Sequence, residues 1–171
     1  MKVINWLIII TLFLFSSCKS IFTTTHPTTK ESLKKEGLEF SLKFVEALFN
    51  EDCDKVYAQF AEEVYSMDGD EIYILSEYRE DICESIDEAI YGDEKTYNDY
   101  LKDYRKEILT PEQVVFRFKF KFPEFYQPHE SDLFFIGAEL KNEESEDYIS
   151  EDYFVFLIRK IEGRWQIKGV E

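Results

Sequence analysis

Val114-Val115-Phe116-Arg117-Phe118-Lys119-Phe120-Lys121-Phe122 decides how the rest of the chain is read. Val114, Phe116, Phe118, Phe120 and Phe122 alternate with Val115, Arg117, Lys119 and Lys121. A period of two gives an extended chain one apolar and one basic face, which predicts a half-buried antiparallel strand. Upstream the apolar period is helical; downstream it stays near two. Helices followed by consecutive strands predict an α+β domain, with N-terminal helices packed on one face of a curved, mainly antiparallel four-stranded sheet.

Upstream, Leu33, Leu38, Leu42, Val45, Ala47, Leu48 and Phe49 recur at helical spacing opposite Lys34, Lys35, Glu39, Lys43 and Glu46. Asn50-Glu51-Asp52 closes that helix. Asp54 then predicts the N-cap of a shorter one, with Val56, Tyr57, Phe60 and Ala61 facing inward. Ser66-Met67-Asp68-Gly69-Asp70 reads as a turn. Ile72, Leu75, Tyr78, Ile82, Ile86, Ala89 and Ile90 then predict a third helix. Tyr97, Tyr100, Leu101, Tyr104 and Ile108 predict a fourth, ending at Thr110-Pro111. Downstream, residues 133–140, 153–160 and 164–170 read as strands, with Glu162-Gly163 as the last tight hairpin turn.

The N-terminus reads as an address. Lys2 precedes the apolar run Trp6-Leu7-Ile8-Ile9-Ile10-Thr11-Leu12-Phe13-Leu14-Phe15, and Ser16-Ser17-Cys18 closes it. Charge, a short apolar core and small residues are what a secretory signal needs. The run falls short of the about 20 apolar residues that span a bilayer. Phe15-Ser16-Ser17-Cys18 resembles the lipobox of bacterial lipoproteins, in which the signal is cut before a cysteine that is then lipidated. Phe15 stands where Leu is usual, with Leu14 beside it. An ordinary cleaved signal or a short anchor is the plainer alternative. The expected organisation is a signal peptide over 1–17, lipidated Cys18 and a Thr-rich tether over 18–29, and one domain over 30–171. Lys19-Ser20 carries no acidic run, so a periplasm-facing domain is expected on the bacterial envelope.

The chain has 36 Asp and Glu against 20 Lys and Arg, a formal charge of −16; losing Lys2 with the signal makes it −17. Such a surface repels phosphate backbones, which argues against nucleic acid, and disfavours anionic lipid, so acylation must supply the membrane tie. A cationic envelope partner would be attracted; simple solubility is the plainer reading. Cys53 and Cys83 remain once Cys18 is set aside. They fit either a disulfide in an oxidising compartment or two small buried side chains.

Chemistry-bearing patterns are sparse. His26 falls in the tether, and His129 lies in a loop framed by Pro123 and Pro128, either plainly solvated or at a cavity rim. No triad spacing, Gly-rich phosphate loop or zinc set is present, so no cofactor or metal is expected. Asp68-Gly69-Asp70 lacks the EF-hand spacing, and Asp70 as a helix cap explains it better. Glu143, Glu144, Glu146, Asp147, Glu151 and Asp152 form a solvated hairpin tip or a patch for a basic partner. Arg117, Lys119 and Lys121 form a solvated strand face paired with carboxylates such as Glu139, or a small anion site. Tyr97, Tyr100 and Tyr104 fit a binding groove or plain packing.

Phe44-Val45-Glu46-Ala47-Leu48-Phe49-Asn50-Glu51-Asp52 with Val56, Phe60, Ala61 and Val64 is similar to the opening of the nuclear transport factor two-like superfamily, which includes SnoaL-like domains. Residues 153–160 followed by Gly163-Arg164-Trp165-Gln166-Ile167 resemble its terminal hairpin. Residues 72–109 depart from its compact members. The resemblance implies a cone of helices against a bent sheet, often with a cavity at its mouth, but no activity, since members include enzymes, binders and structural modules. Three functions stay open. The first expectation is a non-enzymatic envelope lipoprotein binding a partner protein or small apolar ligand. The others are a SnoaL-like enzyme using a cavity carboxylate or His129, and an acidic, immunity-like inhibitor of a cationic protein.

Overall fold

The computed structural model describes residues 29–67, 71–80, 82–83, 96–139 and 153–170. Cys18, the Asp68-Gly69-Asp70 turn and the acidic stretch of 142–152 lie outside the described residues, as do Ile86, Ala89 and Ile90 of the expected third helix. The domain is α+β. Its elements are α1 (Lys30–Phe49), α2 (Cys53–Tyr57), β1 (Phe60–Ser66), β2 (Glu71–Ile74), a 3-10 turn (Leu75–Glu77), α3 (Tyr97–Asp103), β3 (Tyr104–Leu109), α4 (Pro111–Phe118), β4 (Leu133–Glu139), β5 (Tyr153–Ile161) and β6 (Arg164–Val170). No helix among the described residues is long and apolar enough to cross a membrane.

One six-stranded sheet runs in the order β2-β1-β6-β5-β4-β3. This corrects the expected four strands. The sheet is also mixed: β1 lies parallel to β6, while the other neighbours are antiparallel. Nor are the helices all N-terminal, since α3 and α4 follow the first hairpin.

Three strands, β1, β2 and β3, were missed, and each overlaps an expected helix. Phe60 and Ala61, placed on the inner face of a helix, begin β1, which pairs with β6 at Phe60 and with both β2 and β6 at Tyr65 and Ser66. Asp52 rather than Asp54 caps α2, accepting from the Lys55 N–H at 3.1 Å. Ile72 belongs to β2 and is 45% exposed, so the apolar spacing from Ile72 to Tyr78 is not one helix face. The expected helix through Ile108 stops at Asp103, and six residues of β3 pair with β4.

The opening segment is the largest correction. Thr110 accepts from the Gln113 N–H while the Gln113 side chain accepts from the Thr110 N–H, with Pro111 at the first helical position. That reciprocal capping starts a helix. Val114 and Phe118, four apart, share its buried side, so alternation and helical spacing coincide there. Lys119 then turns left-handed (φ 57°) and ends α4. Phe120 and Phe122 continue in irregular chain onto the sheet, and Phe116 is left 79% exposed.

The sheet is covered on both faces. Phe44, Val45 and Ala47 of α1, Val56 and Tyr100 pack on Leu133, Phe135, Phe156, Ile158 and Ile167. Val114, Phe118, Phe120, Phe122 and Tyr126 pack on Phe134, Ile136 and Leu157. A strand buried on both faces reads as a continuous apolar run, which is why Leu133-Phe134-Phe135-Ile136 lacks alternation. Cys53 and Cys83 are joined by a disulfide with Cα atoms 5.3 Å apart, tying α2 to the chain beyond β2.

Candidate functional site

The densest polar cluster sits where the loop after α4 meets β4 and β5. Asp132 is 3% exposed and carries its carboxylate just before β4. Arg159 of β5 donates from Nε to Oδ1 at 2.7 Å and from Nη2 to Oδ2 at 2.9 Å. The Tyr126 hydroxyl donates to Oδ2 at 2.7 Å, and the His129 backbone N–H does so at 2.9 Å. Arg159 Nη2 also reaches the Gln127 carbonyl at 2.7 Å. Burial works against the Arg159 charge, but the Asp132 hydrogen bonds and charge outweigh it and hold the guanidinium protonated. Burial, reinforced by Asp132, pushes the Tyr126 hydroxyl well above the usual tyrosine range.

His129, the one histidine singled out from the sequence, borders this cluster with an exposed ring. Its Nδ1 lies 2.7 Å from Ser131 Oγ and accepts from the Ser131 N–H at 3.2 Å. His129, Ser131 and Asp132 do not make a nucleophile relay. Ser131 Oγ is buried and accepts the Lys160 N–H at 3.0 Å, and Asp132 engages Arg159 and Tyr126, not the imidazole. The arrangement fixes the loop to the sheet.

Lys168, on the same side of β6, is 7% exposed. Its Nζ donates to the Glu63 carbonyl at 2.7 Å, lies 3.6 Å from the Glu63 carboxylate and stands 4.7 Å from the Tyr65 ring centroid. Burial lowers its pKa, with the Glu63 charge opposing.

The other sequence candidates are dispersed. Tyr97, Tyr100 and Tyr104 form a ring row against Phe49, and Tyr100 is fully buried. The Tyr97 hydroxyl donates to the Leu42 carbonyl at 3.2 Å. Arg117, Lys119 and Lys121 do not share a strand face. Arg117 closes α4 and pairs with Glu107 at 2.5 Å, Lys119 caps the helix, and Lys121 follows in exposed irregular chain. Among the described residues no group of three or more His, Cys, Asp or Glu converges to hold a metal ion.

Sequence reading missed Asp132, Arg159 and Lys168. A signal existed for two of them: Arg159 directly follows Val155-Phe156-Leu157-Ile158 and Lys168 directly follows Ile167, and a charge beside core residues of a strand wants a partner. Asp132 was one carboxylate among many.

β2, one of the two edge strands, pairs with β1 alone among the described residues, and its residues are exposed or half-buried. Ile72 is 45% and Tyr78 37% exposed, and Glu62, Glu63, Glu71, Glu77 and Glu80 are exposed around them. Comparison with protein-family models, curated proteins and solved structures finds no match for the chain in any of the three.

Proposed function

We propose that this chain is a lipid-anchored protein of the bacterial envelope whose domain binds a partner protein and performs no catalysis. The observation that carries the reading is the β2 edge, which offers exposed Ile72 and Tyr78 within an acidic surround. An outer strand leaves backbone N–H and C=O groups open to pairing, and apolar side chains among carboxylates suit a cationic, partly apolar partner. The anchoring part rests on the signal and on Cys18. The packing of both sheet faces favours a protein partner over a small apolar ligand. The committed hydrogen bonds of Asp132 favour a structural polar cluster over acid–base chemistry.

Affinity isolation of the full chain from detergent-solubilised envelopes tests this, with wild type beside Ile72→Lys. The account expects a discrete co-purifying protein that is lost in the variant and in high salt. A partner retained equally by both would overturn the assignment to this edge.

A further inference from the structure

The opposite end of the sheet carries the reverse chemistry. Phe116 of α4 is 79% exposed and its neighbour Val115 40%. Lys119 lies one turn on, with Nζ 5.2 Å from the Phe116 ring centroid and 2.9 Å from the Phe116 carbonyl; Lys121 follows, exposed. In a chain of charge −16, Phe116 is the most exposed large hydrophobic residue among the described residues, and exposed cations lie beside it.

Its position adds a second argument. Lys34 of α1 donates to the Gln113 side chain at 2.9 Å. The Glu112 carboxyl is held low by the Thr110 hydroxyl first, with Lys30 also contributing. Glu112 and Gln113 precede Phe116 by four and three residues, so they share a face of α4 with it. The first turn of α1 therefore lies beside the exposed face of α4. The chain from Cys18 arrives at that turn, and the ten residues between Cys18 and Thr29 span at most about 35 Å when fully extended.

We infer that Phe116, with Val115, Lys119 and Lys121, docks the domain against the anionic phospholipid surface of the membrane that holds its anchor. The inference rests on the anchored reading above. The lipid on Cys18 provides attachment, and the α4 patch provides orientation: an aromatic ring enters the interface while cations meet lipid phosphates. β3, which α4 contacts, and β2 are the two ends of the strand order, so docking through α4 leaves the acidic edge facing away from the lipid. Repulsion between lipid phosphates and the acidic remainder favours the same orientation.

The test uses the full lipidated chain carrying Phe116→Trp, reconstituted into vesicles of phosphatidylglycerol and phosphatidylethanolamine with brominated acyl chains. Wild type, which retains Trp165, is the blank. The expected result is quenching of the introduced indole, lost in vesicles of phosphatidylcholine or in ~1 M salt, where the screening length falls to about 3 Å. Lys119→Glu with Lys121→Glu should weaken docking by at least about 30-fold, from about a factor of five per cation near an anionic surface. An unquenched indole in anionic vesicles, or quenching indifferent to lipid charge and salt, overturns the inference, the first of these leaving α4 for a protein partner. Intact mass of the same sample reads acylation separately, so a missing lipid on Cys18 is distinguished from a patch that does not dock.

Discussion

Arg159 grips both carboxylate oxygens of Asp132 across 27 residues of sequence, with side chains 12% and 0% exposed. A planar guanidinium matched to a carboxylate in this way is the strong form of an ion pair, and Tyr126 and the His129 N–H occupy further acceptor positions on Asp132. The contact pins the loop from 126 to 132 onto β5. That loop continues the aromatic segment covering the second face of the sheet.

Breaking the pair from one side should be costly. Asp132→Ala leaves the Arg159 charge buried without its partner and should destabilise by about 3–5 kcal/mol. Asp132→Leu combined with Arg159→Met should lose less than either single change. Urea midpoints for Asp132→Ala, Asp132→Leu, Arg159→Met and the double variant check this; additive losses of the last two single changes would mean that the two residues act independently.

The disulfide closes a 30-residue separation. Constraint of the unfolded chain by such a loop contributes about 3–4 kcal/mol. Cys53→Ser with Cys83→Ser should lower the thermal midpoint accordingly, and reductant should reproduce the shift in wild type while leaving the double variant unchanged.

Gly137 of β4 faces the Tyr100 hydroxyl, which occupies the place a Cβ would take. Tyr100 is fully buried between Phe49 and Tyr104 and has no room to retreat. Gly137→Ala should therefore cost about 1–3 kcal/mol, as overpacking does. Gly137→Ala with Tyr100→Phe should recover part of that loss in the same denaturation measurement.

Glu36 accepts from Lys160 at 2.7 Å, and that hydrogen bond holds its carboxyl below the ordinary 4.5 despite opposing desolvation. A carboxyl depressed in the folded state stabilises above its unfolded pKa and loses that contribution as pH falls through the folded one. Both side chains are partly exposed, so the effect is about 0.5 kcal/mol. Glu36→Gln should lower the urea midpoint near neutrality and make no difference well below pH 4.5.

The last strands were legible because their signals are local. Glu162 and Gly163 take positive φ values of 49° and 79°, the conformation a two-residue hairpin turn requires. The strands on either side follow the apolar runs that frame this turn. β1 and β3 were hidden because their pairing is long-range: β1 needs β6, a hundred residues away, and nothing local distinguishes Phe60-Ala61 from a helix continuation. Val114 to Phe122 carried two compatible periods, and the capping of Thr110 by Gln113 decided between them. The Asp132–Arg159 pair was illegible for the same long-range reason. The exposed edge at Ile72 was hidden by its apolar character, which read as core.

The central claim is that the β2 edge meets a partner protein at the envelope, and site-specific photo-crosslinking in living cells tests it most directly. The full chain would carry a photoreactive residue at Ile72 in one strain and at exposed Lys43 of α1 in another. The account predicts one discrete protein adduct from position 72 and none from position 43. No adduct at 72, or the same adducts from both positions, would contradict it.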